Sequence, residues 1–355
     1  MEKVYIKNYG MHQQFAINSA ELNQLLATEG DDINPRDMDY YHFSTPSVVE
    51  KKLVSREDHS VLNHMSKMVI NALIDFKSKD CLEEHAKAFL YTACDGEEHS
   101  FSSLFEICRK YNDDGSVWKH IQEYKEINNP LDMLRLLPTN VLYHTSKLLL
   151  DHEEGTPLRA ASLSGMAALK LAHADIANAI AKEGAMVVSA ANMLTFDSLA
   201  VFKKFGEIRQ SGKDVSGIIP SWGAAVMSLD NNSRNALAEL TSLTIRYCPK
   251  VRFEQEDWES LLSKQRTHQG EPDVIVSYNN GIRTQQIAEY SALEKFFPRT
   301  PVINYKSKTG YTGKLNNILD ILCCLNDPAI PSGARVMLNG AGINYGIGNI
   351  WLIKH

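Results

Sequence analysis

The run from Ser164 to Lys182 carries Met166, Leu169, Leu171, Ala172, Ile176, Ala179 and Ile180 at helical spacing and leaves almost no polar face. A helix that is apolar nearly all round is stable only when other layers cover it. Gly184 then stops the helix. AMVVSA (Ala185 to Ala190) follows as a short continuous apolar run, the pattern of a strand in a parallel sheet covered on both faces.

Strand and helix signals alternate on either side of this pair. KAFLYTA (Lys87 to Ala93) reads as a buried strand and GAAVMSL (Gly223 to Leu229) as another. Ser233 to Leu243 is expected to be a helix, VIVSY (Val274 to Tyr278) a strand, Thr284 to Phe296 a helix, PVINY (Pro301 to Tyr305) a strand and Leu315 to Leu325 a helix. ARVMLNG and IGNIWLI close the chain as two strands. Nearer the start, Val4 to Ile6 and Phe15 to Ile17 look like strand pieces, and the polar stretch from Gly30 to Ser60 reads as loops. Apolar spacing predicts a helix from Ser60 to Phe76, and Phe101 to Asn129 is helical with a turn at Asn112 to Gly115. Such alternation through the whole chain points to α/β layering. There is no short-period repeat, low-complexity run or long linker.

Composition narrows the function. The formal charge is −6, which lacks the basic excess that binding to a phosphate backbone needs. No run approaches the roughly 18 apolar residues of a membrane span, and MEKVYIKNYG lacks the layout of a signal peptide, so the expected location is the cytoplasm. Six cysteines show no CxxC pairing and no His at metal-ligand spacing; they read as buried reduced thiols, and no metal or cofactor of the chain's own is expected.

Two local motifs carry less than their letters suggest. Cys94 in YTACDGEEHS lies near His99, but nearby carboxylates raise a thiol pKa and no buried helix follows for the thiol to cap. GAGINYG has the glycines of a nucleotide loop, yet a strand follows it where phosphate binding needs a helix N-terminus. A tight loop between two strands is the better reading. His144 and His173 sit on helical segments and read as satisfied core or interface residues.

Four segments remain: RAASLSGMAAL (Arg159 to Leu169), VIVSYNNG (Val274 to Gly281), NYKSKTGYTGKL (Asn304 to Leu315) and NGAGINYGIGN (Asn339 to Asn349). In this order and spread they resemble the β-ketoacyl synthases of the thiolase superfamily, most clearly from Gly155 onward. The resemblance implies a layered αβαβα fold of two fused, pseudo-duplicated halves, here 1–215 and 216–355, in one compact body. Those enzymes carry a nucleophilic Cys, two His residues and a Gly-rich closing loop at these places. Here the places hold Ser162, Asn280, Tyr311 and a loop with Gly340, Gly342 and Asn344, while Lys306 stands at the family's structural Lys. The family's acidic residue would lie a little beyond Glu289.

The substitutions matter chemically. A thiolate at a helix N-terminus attacks thioesters and leaves again because the helix dipole lowers its pKa, whereas the hydroxyl of Ser162 needs a base. Asn280 keeps a donor but cannot shuttle a proton, and a phenol such as Tyr311 titrates near pH 10. Three readings follow. The first is a non-catalytic chain-length factor of a type II polyketide, aryl polyene or fatty-acid-like system, which pairs with an active ketosynthase, shapes its acyl tunnel and meets an acyl carrier protein bearing phosphopantetheine. The resemblance alone places that interface around Ser162 and the strand after the buried helix. The second is an acyltransferase or hydrolase using Ser162, with Asn280 as oxyanion donor and Lys306 as base. The third is a structural pseudoenzyme partner without an acyl cavity.

Overall fold

The computed structural model describes residues 2–28, 32–33, 47–48, 50–95, 131–149, 155–204, 207–209 and 216–355. The expected helix from Phe101 to Asn129 lies outside them, as does His99. Among the described residues the strands are β1 (Val4–Gln13), β2 (Phe89–Cys94), β3 (Gly155–Pro157), β4 (Ala185–Asn192), β5 (Trp222–Asp230), β6 (Ala238–Tyr247), β7 (Val274–Val276), β8 (Val302–Ile303), β9 (Arg335–Gly342) and β10 (Gly346–Lys354). The helices are α1 (Ser19–Ala27), α2 (Arg56–Val61), α3 (His64–Lys77), α4 (Asp132–Leu136), α5 (Thr139–Leu148), α6 (Ser164–Ala177), α7 (Phe196–Lys204), α8 (Gln255–Gln269), α9 (Arg283–Phe296), α10 (Lys306–Thr309) and α11 (Asn316–Asn326). Among the described residues no helix is long and apolar enough to cross a membrane.

The strands are hydrogen-bonded in the order β3-β2-β4-β5-β1-β6-β10-β9-β7-β8. Numbered within each group of five, both groups run 3-2-4-5-1 from the outer edge inward. They also share directions, with parallel pairing at the outer three strands and antiparallel pairing thereafter. The groups meet where β1 pairs with β6 over Val4 to Ile6. In strand order the repeat changes over between β5 and β6, so a division at 215/216 falls before β5.

Side chains alternate across this sheet and so sort the helices. Tyr91, Val187 and Met227 share one apolar cluster with Met166 and Leu169 of α6, Ile318 and Leu322 of α11, and Val336 and Ile350 of the other group. Leu90, Val188 and Val226, one residue out of phase, pack against Met68, Leu73 and Phe76 of α3. Ile275, Met337 and Trp351 pack against Trp258 of α8 and Leu293 of α9. Helices α6 and α11 thus form a middle layer between the two strand groups, with α3 and α5 outside one and α8 and α9 outside the other. Burial of Met166, Leu169 and Ile176 removes each side chain from water, a gain of about 1.5–3 kcal/mol apiece.

Several boundaries differ from the sequence reading. Helix α3 starts at His64 because the Asn63 side chain accepts from the Ser66 N–H at 2.7 Å and caps it. Residues 56–61, expected as loop, form α2 under a Ser55 cap. Phe15 to Ile17 is no strand; only Ala16 bridges back to Gln13. Helix α6 ends at Ala177, since Ala179 takes a left-handed φ of 56°. The largest correction is Ser233 to Leu243: there is no helix, and β6 runs from Ala238 between β1 and β10. Nine register pairs with β10 override the local leucine spacing, helped by the β-branched Thr241, Thr244 and Ile245. Strand β4 is parallel only to β2 and antiparallel to β5.

Candidate functional site

Ser162 sits in the turn between β3 and α6, two residues before the helix begins. Ala161 takes a left-handed φ of 49°, a conformation that costs energy for a residue with a Cβ and recurs at functional turns. Helix α6 has no side-chain cap at Leu163, while Ser164 ties the turn back by donating to the Ala161 carbonyl and accepting from the Ala160 N–H. The hydroxyl is half-buried at the N-terminal end of the most apolar helix of the chain.

Tyr311 arrives from the other strand group. Helix α10 ends at Gly310, whose φ of 70° and close approach to Ser221 suit only glycine. The Tyr311 backbone then donates to the Ile219 carbonyl at 2.7 Å and accepts from the Ser221 N–H at 3.0 Å. So fixed, its buried phenol shares a 2.7 Å hydrogen bond with Ser162 Oγ. Phe202 of α7 stands edge-on to the ring at 5.8 Å.

Asn280 lies behind Tyr311 on the far side of Tyr278. Asn280 Oδ1 accepts from the Ile282 N–H at 3.1 Å, which fixes the amide and leaves its NH₂ to donate to the Tyr278 oxygen at 3.1 Å. The Tyr278 ring meets the Tyr311 ring edge-on, with centroids 6.5 Å apart. Burial pushes both phenols above their ordinary pKa. The neighbour of Ser162 is therefore a phenol that keeps its proton, and not the base that a serine nucleophile needs.

Lys306 is committed elsewhere. Its ammonium donates to Asp320 of α11 at 2.7 Å and to the Ser277 carbonyl at 3.3 Å, with both charged side chains buried. Burial raises the Asp320 carboxyl and the Lys306 charge partly offsets that rise. The role expected of Lys306 as a base for Ser162 is not the arrangement found. Glu289 of α9 is wholly buried and accepts from the Tyr278 N–H, the Asn279 N–H and the Asn339 side chain at 2.8–2.9 Å. It holds the loop carrying Asn280, and burial raises its carboxyl despite those donors.

The glycine-rich tail is a hairpin. Gly340 and Gly342 belong to β9, and only residues 343–345 form the turn before β10. A Cβ on Gly342 would lie 3.1–3.3 Å from Ala160, Ala161 and Leu163, so this glycine lets β9 lie against the Ser162 turn, while one on Gly340 would strike the Asn317 and Met166 side chains. Asn344 stands at the exposed tip with φ 58°, its N–H on the Lys250 carbonyl, away from that turn.

Among the remaining candidates, Cys94 is buried and its thiol is pushed up to about 12 by burial, which agrees with an inert thiol. His173 Nε2 reaches the Leu240 carbonyl at 3.1 Å. His144 is buried on α5, its Nε2 has no partner among the described residues, and burial lowers it to about 4. Cys81 is exposed, unlike the other described cysteines, which are buried. Among the described residues no group of three His, Cys, Asp or Glu side chains could hold a metal ion. Tyr278 and Asp320 escaped the sequence reading because nothing in their spacing announces a contact across the fold.

The sequence matches no protein-family model and no curated protein. Solved structures do match. A β-ketoacyl synthase from Burkholderia phymatum superposes with a TM-score of 0.73 at 15% identity, covering 100% of each chain. A type II polyketide ketosynthase, AntDE, solved with its acyl carrier protein AntF and bound to the hexaketide, gives 0.72 at 12% identity over 100% of this chain and 99% of that one. The ketosynthase and chain length factor of PfaC give 0.67 at 13% identity over 99% of this chain and 43% of that longer one. The fold is that of the ketosynthases.

Proposed function

We propose that this chain is a non-catalytic ketosynthase-like subunit, a chain-length factor. It pairs with an active β-ketoacyl synthase and shapes the tunnel in which a growing acyl or polyketide chain lies. The extender and the chain arrive on the phosphopantetheine arm of an acyl carrier protein, and the partner supplies the Cys and His residues. The observation that carries the reading is the hydrogen bond between the Tyr311 phenol and Ser162. Condensation needs a nucleophile that a base or dipole has activated, and here the hydroxyl of Ser162 is paired with a neutral phenol. Solved relatives of the same fold include a ketosynthase with its carrier protein and a ketosynthase with a chain length factor.

Strand β4 is a poor partner surface, because it is buried between β2 and β5. Strand β3 fits better: it is exposed, forms one edge of the sheet and runs directly into the Ser162 turn. A partner docked there lies beside Ser162. The assembly is placed in the cytoplasm.

Reconstitution tests the role. An active ketosynthase of the same system with its loaded carrier protein is assayed alone and with this chain, and products are sized by mass spectrometry. The expected result is condensation that depends on the partner's Cys, with a product length that changes when tunnel-lining residues of this chain are enlarged. Unchanged product length throughout favours a structural partner without an acyl cavity, and condensation by this chain alone overturns the reading.

A further inference from the structure

A partly open cavity of about 260 Å³ lies between α3 and α5, on the side of the sheet away from α6 and Ser162. Its walls are aliphatic: Leu53, Ile70, Leu73 and Ile74, Leu82, and Leu148 and Leu149 at the end of α5. Among the described residues no aromatic ring lines it, so it suits a flexible alkyl chain better than a flat ligand. Two ammonium groups, Lys77 and Lys147, border it. Lys147 is neutralised by Asp58 at 2.6 Å. Lys77 is exposed and has no acidic partner among the described residues, which leaves one net positive charge beside an apolar hole.

We propose that this cavity binds a free medium-chain carboxylate, with its alkyl tail between α3 and α5 and its carboxylate on Lys77. The volume falls just below the usual range of small-ligand pockets, which starts at about 300 Å³. At about 30 Å³ per water-sized group it takes on the order of eight or nine heavy atoms, room for the alkyl tail of octanoate with the carboxylate at the rim on Lys77. The site is independent of the Ser162 turn and of the role proposed for it.

Titration calorimetry of the full chain against butanoate, hexanoate, octanoate and dodecanoate tests it. Each buried methylene adds about 0.8 kcal/mol, so affinity rises about fourfold per carbon and levels off beyond octanoate. Lys77→Ala weakens octanoate about threefold, as for an exposed ion pair, and leaves 1-octanol unchanged. Ile74→Trp fills the cavity and lowers both affinities more than tenfold. Leu53→Trp blocks the same cavity from the turn at Lys51–Leu53 and does the same, with circular dichroism showing which variant is folded. No saturable octanoate binding, affinity indifferent to chain length, or folded tryptophan variants that bind like the wild type each overturn the proposal.

Discussion

Ser162 Oγ and the Tyr311 phenol oxygen lie 2.7 Å apart across 149 residues of sequence. The bond joins the turn before α6 to the loop after α10, one from each strand group. Tyr311 is buried, as are the Tyr278 and Asn280 side chains behind it, so the phenol end of the bond is held away from water while Ser162 is half-buried.

Tyr311→Phe removes the buried hydroxyl that pairs with Ser162 Oγ, at an expected cost of about 0.5–1.5 kcal/mol of unfolding free energy, read from urea denaturation. Tyr278→Phe takes the acceptor away from the buried Asn280 NH₂ and costs about 1–3 kcal/mol.

The buried Lys306 and Asp320 pair supports the loop from which Tyr311 emerges. Lys306→Met leaves a buried carboxylate without its cation and costs about 3–5 kcal/mol. Lys306→Met with Asp320→Leu recovers much of that loss. Equal instability of the single and double variants, measured by chemical denaturation, contradicts this account of the pair.

His144 makes stability depend on acid. Burial lowers its pKa from 6.5 to about 4, so the folded state favours the neutral ring. That contribution is present above pH 6.5, where the unfolded state is neutral too, and is lost as pH falls from 6.5 toward 4. Between pH 7 and pH 5 the loss is about 2 kcal/mol. His144→Leu flattens this part of the pH profile of denaturation.

Gly340→Ala places a Cβ 2.5 Å from the Asn317 amide and 2.8 Å from Met166 Cε. The buried Asn317 and Met166 side chains, or β9 itself, must then shift, at a cost of about 1–3 kcal/mol. Gly333→Ala serves as the control for the method, since a Cβ there meets nothing within 4 Å and only its φ of 85° opposes the change.

Much of the fold was legible because burial leaves a periodic trace. The apolar α6, the runs that became β4 and β5, and the closing hairpin stood out by pattern alone. Helix α8 did not: its sequence is mostly polar, and its inward face rests on Trp258, Leu261, Leu262 and Gln265 under a Glu254 and Asp257 capping box. Strand β6 was misread because its leucines fit a helix until β10 supplies a register. At the site, Ser162, Asn280 and Tyr311 were found by their order along the chain. The part of Tyr278 was not, since its hydroxyl accepts from Asn280 and its ring meets Tyr311 in contacts that no linear spacing reveals.

The central claim is that Ser162 does not act as a nucleophile. Intact-protein mass spectrometry after incubation with short acyl thioesters tests it directly, with Ser162→Ala as the control. An unchanged mass for both proteins is the expected result. An acyl adduct on the wild-type chain that is absent from Ser162→Ala contradicts it and makes this chain an acyltransferase.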